Sequence, residues 1–183
     1  PTGGSPLSGD PALLGEFVNE AREHLEAADV HLLTLEKDPR QDDALNAVFR
    51  AFHTIKGVAG FLGLEEIGHL AHDTENLLDR ARKGKLVLAG LAINVTFEAV
   101  DAMKRLVDAL CAALSTGGLL PAEPSLPALL GRLRAARTRQ PANPAYSPKN
   151  ALAHSGRGGR SPLATRARHS SSVMRSLILF RNS

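Results

Sequence analysis

The stretch QDDALNAVFRAFHTIKGVAGFLGL, residues 41–64, decides the fold. Leu45, Val48, Phe52, Ile55, Ala59 and Leu62 recur at three- and four-residue steps, the spacing that gathers them on one side of an α-helix. Asp42 and Asp43 suit the positive end of its dipole. Yet the same helix carries His53, Lys56, Gly57 and Gly60, none of which serves a core. Each interior glycine costs a helix about 1 kcal/mol relative to alanine, because it surrenders more backbone freedom on becoming helical. Something other than stability selected those positions.

With His53 at zero on a helical wheel, Asn46, Phe49, Arg50, Lys56, Gly57 and Gly60 fall within about 60 degrees of it, while Val48, Phe52, Ile55 and Ala59 lie elsewhere. His53 is therefore expected to face solvent or the edge of a bundle. Gly57 and Gly60 remove side chains that would screen the imidazole from a large partner. Lys56, three residues on, supplies a mobile positive charge suited to phosphoryl oxygens. Taken singly these residues have bland readings: a surface histidine beside a lysine is common, and glycines also mark close helix packing. Together, on one face opposite an unbroken apolar stripe, they point to a site.

The neighbouring segments are helical too. Asp10 followed by Pro11 is a helix-start signal, and Leu14, Phe17, Ala21, Leu25, Ala28, Leu32 and Leu35 form a single stripe ending before Pro39. After a Gly63-Leu64 break, Ile67, Leu70, Ala71, Thr74, Leu77, Leu78 and Ala81 form a third helix, closed by Gly84. A fourth runs from about Asn94 to Leu114 on Phe97, Val100, Met103, Val107, Leu110 and Leu114. None can bury its stripe alone, so the expected fold is all-α: an antiparallel up-and-down four-helix bundle over residues 10–118. Residues 1–9 read as a flexible lead-in. Residues 119–139 read as a linker with a short basic fifth helix, LPALLGRLRAARTR, at 126–139.

Composition agrees with a helical, aliphatic core: of 183 residues 43% are hydrophobic, only 4% are aromatic, and there is no Trp. The single cysteine, Cys111, cannot form an internal disulfide and is expected to be a buried small hydrophobe in a reducing compartment. There is no basic segment followed by an apolar one at the start and no apolar run near 18 residues, so neither a signal peptide nor a membrane span is expected. The expected setting is the cytoplasm. Charge is uneven: all 19 acidic residues lie in 1–123, whereas 124–183 holds 11 of the 22 basic residues. Residues 140–183, rich in Pro, Ser, Gly and Arg, read as a disordered basic tail, either a linker or non-native sequence.

The stretch AFHTIKGVAGFLGL (51–64) resembles the phosphoacceptor helix of histidine-phosphotransfer (HPt) domains, whose core pattern is H-x-x-K-G. It is most similar to the N-terminal (P1) HPt domain of the chemotaxis histidine kinase CheA. LAHDTENLLDRARKGKL (70–86) resembles the following helix of that domain, with its H-x-x-E-x-L-L-D pattern. The resemblance covers roughly residues 10–139. It implies that His53 is the phosphorylated residue, that Lys56 stabilises the phosphoryl group, and that Gly57 keeps the site open. It also implies that His72 and Glu75, at i and i+3, complete a hydrogen-bonded network beside His53. Neutral imidazole attacks through one nitrogen only if the other holds the proton, and a carboxylate accepting that N–H fixes the tautomer. Glu75 is assigned that task, and Phe49 is assigned an apolar contact with the partner. His24, His31 and His69 receive no role.

The chain has no G-x-x-x-x-G-K-[ST] loop and no candidate nucleotide-binding module, so it cannot phosphorylate itself from ATP without another domain. The implied function is the phosphoacceptor module of a two-component, chemotaxis-type phosphorelay. His53 takes a phosphoryl group from a histidine kinase catalytic domain and donates it to an aspartate of a response-regulator receiver domain. No cofactor is expected in this chain; ATP and Mg²⁺ belong to the partners. Two other readings stand beside it. A zinc site from His53, His72 and Glu75 is disfavoured by the charge of Lys56. A helical binding or adaptor module could use the basic tail on nucleic acid or anionic surfaces, but that tail lacks the interleaved aromatics that stack on bases.

Overall fold

The computed structural model describes residues 9–139, and the expectation of a disordered tail at 140–183 lies outside them. Five helices follow one another: α1 (Pro11–Lys37), α2 (Asp42–Phe61), α3 (Glu65–Arg82), α4 (Leu91–Thr116) and α5 (Leu126–Arg139). There is no strand ladder among the described residues. Helix α1 starts where Asp10 caps it, its Oδ1 accepting from the Ala12 amide at 2.9 Å, with Pro11 in the first position where a missing N–H costs nothing.

Helices α2 and α3 each end at a glycine that adopts positive φ. Gly63 (φ 69°) lets the Leu64 amide reach back to the Ala59 carbonyl at 2.9 Å, and Gly84 (φ 64°) lets Lys85 reach Arg80 at 2.8 Å. Both close the six-to-one bond of a Schellman motif, which satisfies orphan carbonyls and ends the helix. As a result α2 and α3 run back along each other. Helix α4 begins at Leu91, earlier than the start near Asn94 expected from its apolar spacing. The positive φ of Gly90 sets that start, and the Gly90 carbonyl accepts from the Asn94 amide at 3.1 Å. Spacing alone carries no mark of it.

The four stripes meet in one core. Leu25, Leu32, Leu35, Phe52, Leu70, Leu77, Leu78, Met103 and Leu110 are wholly shielded from solvent. Each of α1 to α4 packs on its sequence neighbour, and α4 closes the ring against α1. Leu86 and Leu88 from the α3–α4 connection are buried as well.

Helix α5 is part of the packed unit. It lies on α3 and α4, burying Leu126, Leu129, Leu133 and Ala136, which recur at three- and four-residue steps. Its arginines then pair with the bundle. Arg134 Nε donates to Asp73 Oδ2 on α3 at 2.8 Å, and Arg132 pairs with Glu98 on α4. Among the described residues Asp73 is the one buried charged residue, and Arg134 is the partner that makes its burial tolerable. Cys111 is half-buried at the margin of the core, not fully enclosed, since its place on α4 is one residue past the inward-facing Leu110. Among the described residues no helix is long and apolar enough to cross a membrane.

Candidate functional site

Helix α2 packs through Val48, Phe52, Ile55 and Ala59, so the face carrying His53 turns outward beside α3. The His53 side chain is 61% exposed. Helix α3 runs alongside and brings Glu75 up to it: His53 Nδ1 lies 3.1 Å from Glu75 Oε1. The other carboxylate oxygen, Oε2, meets Lys56 Nζ at 2.7 Å. One carboxylate on α3 thus bridges two residues one turn apart on α2.

The electrostatics settle which way the proton points. Burial pushes the Glu75 carboxyl up, but the hydrogen bonds and charges of Lys56 and His53 together outweigh it and hold the group below its ordinary range. Glu75 is therefore ionised near neutral pH and can only accept. In the neutral ring Nδ1 must then be the N–H donor, which leaves the lone pair on Nε2. No side chain among the described residues bonds Nε2.

Gly57 and Gly60 are both exposed, and a Cβ built on either would meet nothing within 4 Å. Close helix packing therefore does not account for them. They leave the surface beside the imidazole bare for two turns.

His72 is exposed on α3 and makes no hydrogen bond to the His53–Glu75–Lys56 group. It lies instead, with Lys56, Gly60, Gly63, Gly68 and His69, along an open groove of about 300 Å³ where α2 turns into α3. The expected network at His53 is thus built without it. The i, i+3 spacing puts His72 on the Glu75 side of α3 but one turn nearer the α2–α3 turn. His24 and His31 sit half-buried on α1, away from the site's hydrogen bonds, and His69 is exposed. Among the described residues no group of three or more His, Cys, Asp and Glu side chains is placed to hold a metal ion.

Phe49, one turn before His53, is half-buried, and its ring stacks on the imidazole with centroids 5.8 Å apart and planes 15° from parallel. Above the Phe49 ring lies the guanidinium of Arg82, 3.9 Å from its centroid. Arg82 Nε donates to Asn46 Oδ1 at 2.7 Å. Sequence reasoning placed Asn46 and Phe49 on the His53 face and gave Arg82 no part. No local signal marked Arg82, because its partners are 33 and 36 residues away on another helix.

The family model "Hpt domain" matches residues 12–139. The chain is 36% identical over 97 residues to the chemotaxis protein CheA of Bacillus subtilis, which covers 53% of this chain. The matched part spans only 14% of that curated relative's length. The CheA phosphotransferase domain from Thermotoga maritima is 36% identical with a TM-score of 0.54, covering 57% of this chain and 99% of that one. The same fold is found, at 22% identity and a TM-score of 0.63, in the phosphorylated P1 domain of CheA3 in complex with CheY6 from R. sphaeroides. That match covers 72% of this chain and 99% of that domain.

Proposed function

Because the chain belongs to the Hpt domain family, we propose that it is the histidine phosphotransfer module of a chemotaxis-type two-component phosphorelay, with His53 as the phosphoacceptor. The observation that carries this reading is the bond from Nδ1 of an exposed histidine to a buried-side, ionised carboxylate. That bond leaves Nε2 as a nucleophile pointed at open surface.

In the proposed reaction an ATP-binding kinase domain presents the γ-phosphoryl group with its own Mg²⁺. The Nε2 lone pair attacks phosphorus, the Nε2–P bond forms, and the bond from phosphorus to the bridging oxygen breaks as ADP departs with that electron pair. The ring becomes positive in the process, and Glu75 at Nδ1 offsets that charge as it develops. Lys56 is close enough to Glu75 to share it, and it turns to the phosphoryl oxygens once they arrive. In the return step a carboxylate oxygen of a receiver-domain aspartate attacks the same phosphorus and the Nε2–P bond breaks. Gly57 and Gly60 give both protein partners access, and Phe49 contributes apolar contact surface at the edge of the site. His72 stays a surface contributor along the adjoining groove.

ATP and Mg²⁺ are the partners' and not this chain's, and the module works in the cytoplasm with an ATP-using kinase and a receiver. The complex of the CheA3 P1 domain with CheY6 supports a receiver as the acceptor class. The test is incubation of the full chain with a purified CheA-type kinase catalytic domain, Mg²⁺ and labelled ATP. Label that is lost in acid, stable in alkali and absent from His53→Gln is expected. Acid-stable label, or uptake by His53→Gln, would sink the assignment.

A further inference from the structure

Arg82 is an exposed arginine whose guanidinium is engaged on the surface of α2. Its Nε is held by Asn46 Oδ1 at 2.7 Å, and its guanidinium carbon sits 3.9 Å from the centre of the Phe49 ring. Phe49 in turn stacks on His53. The three contacts make a strut that begins on α3, crosses to α2 and ends at the face of the imidazole.

The imidazole needs such a strut. The Nδ1 hydrogen bond ends on the Glu75 side chain, which has torsions of its own, so the ring can still shift in χ1 and χ2 as that carboxylate moves, and Nε2 shifts with it. A second ring packed on the imidazole face restrains that shift. Phe49 itself packs against the core, and the guanidinium that Asn46 holds covers its ring. Planarity and the fixed fork of donors are properties of arginine that lysine lacks.

We propose that Arg82 is a positioning residue for phosphotransfer at His53, acting through Phe49 and not by touching the phosphoryl group. The inference rests on the phosphotransfer reading of His53. Its consequence is that Nε2 is aimed before a partner docks, so less orientational freedom must be given up on reaching the in-line geometry.

The experiment compares the full chain with Arg82→Ala, Arg82→Lys, Phe49→Leu and the Arg82→Ala/Phe49→Leu double variant. Two readouts are taken: steady-state phosphorylation by a CheA-type kinase catalytic domain with ATP and Mg²⁺, and side-chain NMR of His53 in the unphosphorylated chain. Arg82→Ala should lower kcat by about three- to tenfold with little change in KM, because alignment and not docking is lost. Arg82→Lys should behave like Arg82→Ala, and the double variant should be no worse than the poorer single one. The His53 ring should hold one orientation in the parent chain and average over more than one in Arg82→Ala, while circular dichroism stays unchanged. An unaltered His53 ring in Arg82→Ala, full rescue by Arg82→Lys, or losses that simply multiply in the double variant would each overturn the proposal. A parent chain that takes up no phosphoryl group would instead overturn the phosphotransfer reading, and the NMR comparison would still decide whether the strut exists.

Discussion

Glu75 reaches across from α3 and holds His53 by Nδ1 at 3.1 Å while its second oxygen holds Lys56 at 2.7 Å. The imidazole and the Lys56 ammonium therefore share one anion. Under the proposed phosphotransfer, a phosphoryl group on His53 would give Lys56 a dianionic partner and leave Glu75 to serve the ring alone.

Glu75→Ala should leave the bundle folded and slow phosphorylation of His53 by about 10- to 100-fold, by analogy with the loss when a carboxylate orienting a metal-bound imidazole is removed. The Glu75 side chain touches the core only from its edge, with 14% of it exposed. A rate series with the kinase domain, set beside a far-ultraviolet circular-dichroism spectrum, measures both halves of the expectation. An unfolded spectrum would contradict it.

The depressed pKa of Glu75 has a pH signature. A group whose folded pKa lies below its unfolded value adds stability above the unfolded value, near 4.5, and loses it as pH falls through the folded one. Melting temperatures of the parent chain and Glu75→Gln should therefore converge as pH falls below about 4.5 and acid protonates the carboxylate. A gap that persists undiminished in that range would show that the Glu75 charge is not the source.

Gly57 and Gly60 separate stability from access. Both sit in regular helix with open space where a Cβ would go, so Gly57→Ala and Gly60→Ala should each stabilise the bundle by about 0.5–1 kcal/mol. Gly57→Leu should also fold but fall well below the parent in transfer to a receiver domain, because its side chain stands beside His53. Urea melts and transfer rates on the same variants check the pair of effects.

Helix α5 is expected to be integral to the fold. Leu133 is fully buried, and Leu133→Ala should cost about 2–4 kcal/mol. Arg134→Ala strands the nearly buried Asp73 carboxylate and should cost about 1–3 kcal/mol, with Arg134→Ala/Asp73→Ala recovering part of it. Denaturant titration of the three variants gives the comparison.

Much of this molecule was legible in the sequence because an α-helix imposes its own period. The stripes Leu14 to Leu35, Leu45 to Leu62 and Ile67 to Ala81 are buried residue for residue, and the grouping of His53, Lys56, Gly57 and Gly60 follows from 100 degrees per residue alone. Capping chemistry placed the start of α1, since Asp10 and Pro11 act through neighbours within a turn. What only the tertiary structure decided is everything that crosses from one helix to another. The ion pair of Lys56 with Glu75, the exclusion of His72 from that group, Arg82 over Phe49 and the Arg134 clamp on Asp73 each depend on how far two helices slide and rotate against each other. That register is set by the interlocking of the whole core, to which dozens of side chains contribute a little each, so no short stretch of sequence carries it. A helix determines which residues share its face; only the packed bundle determines which face of a neighbour they meet.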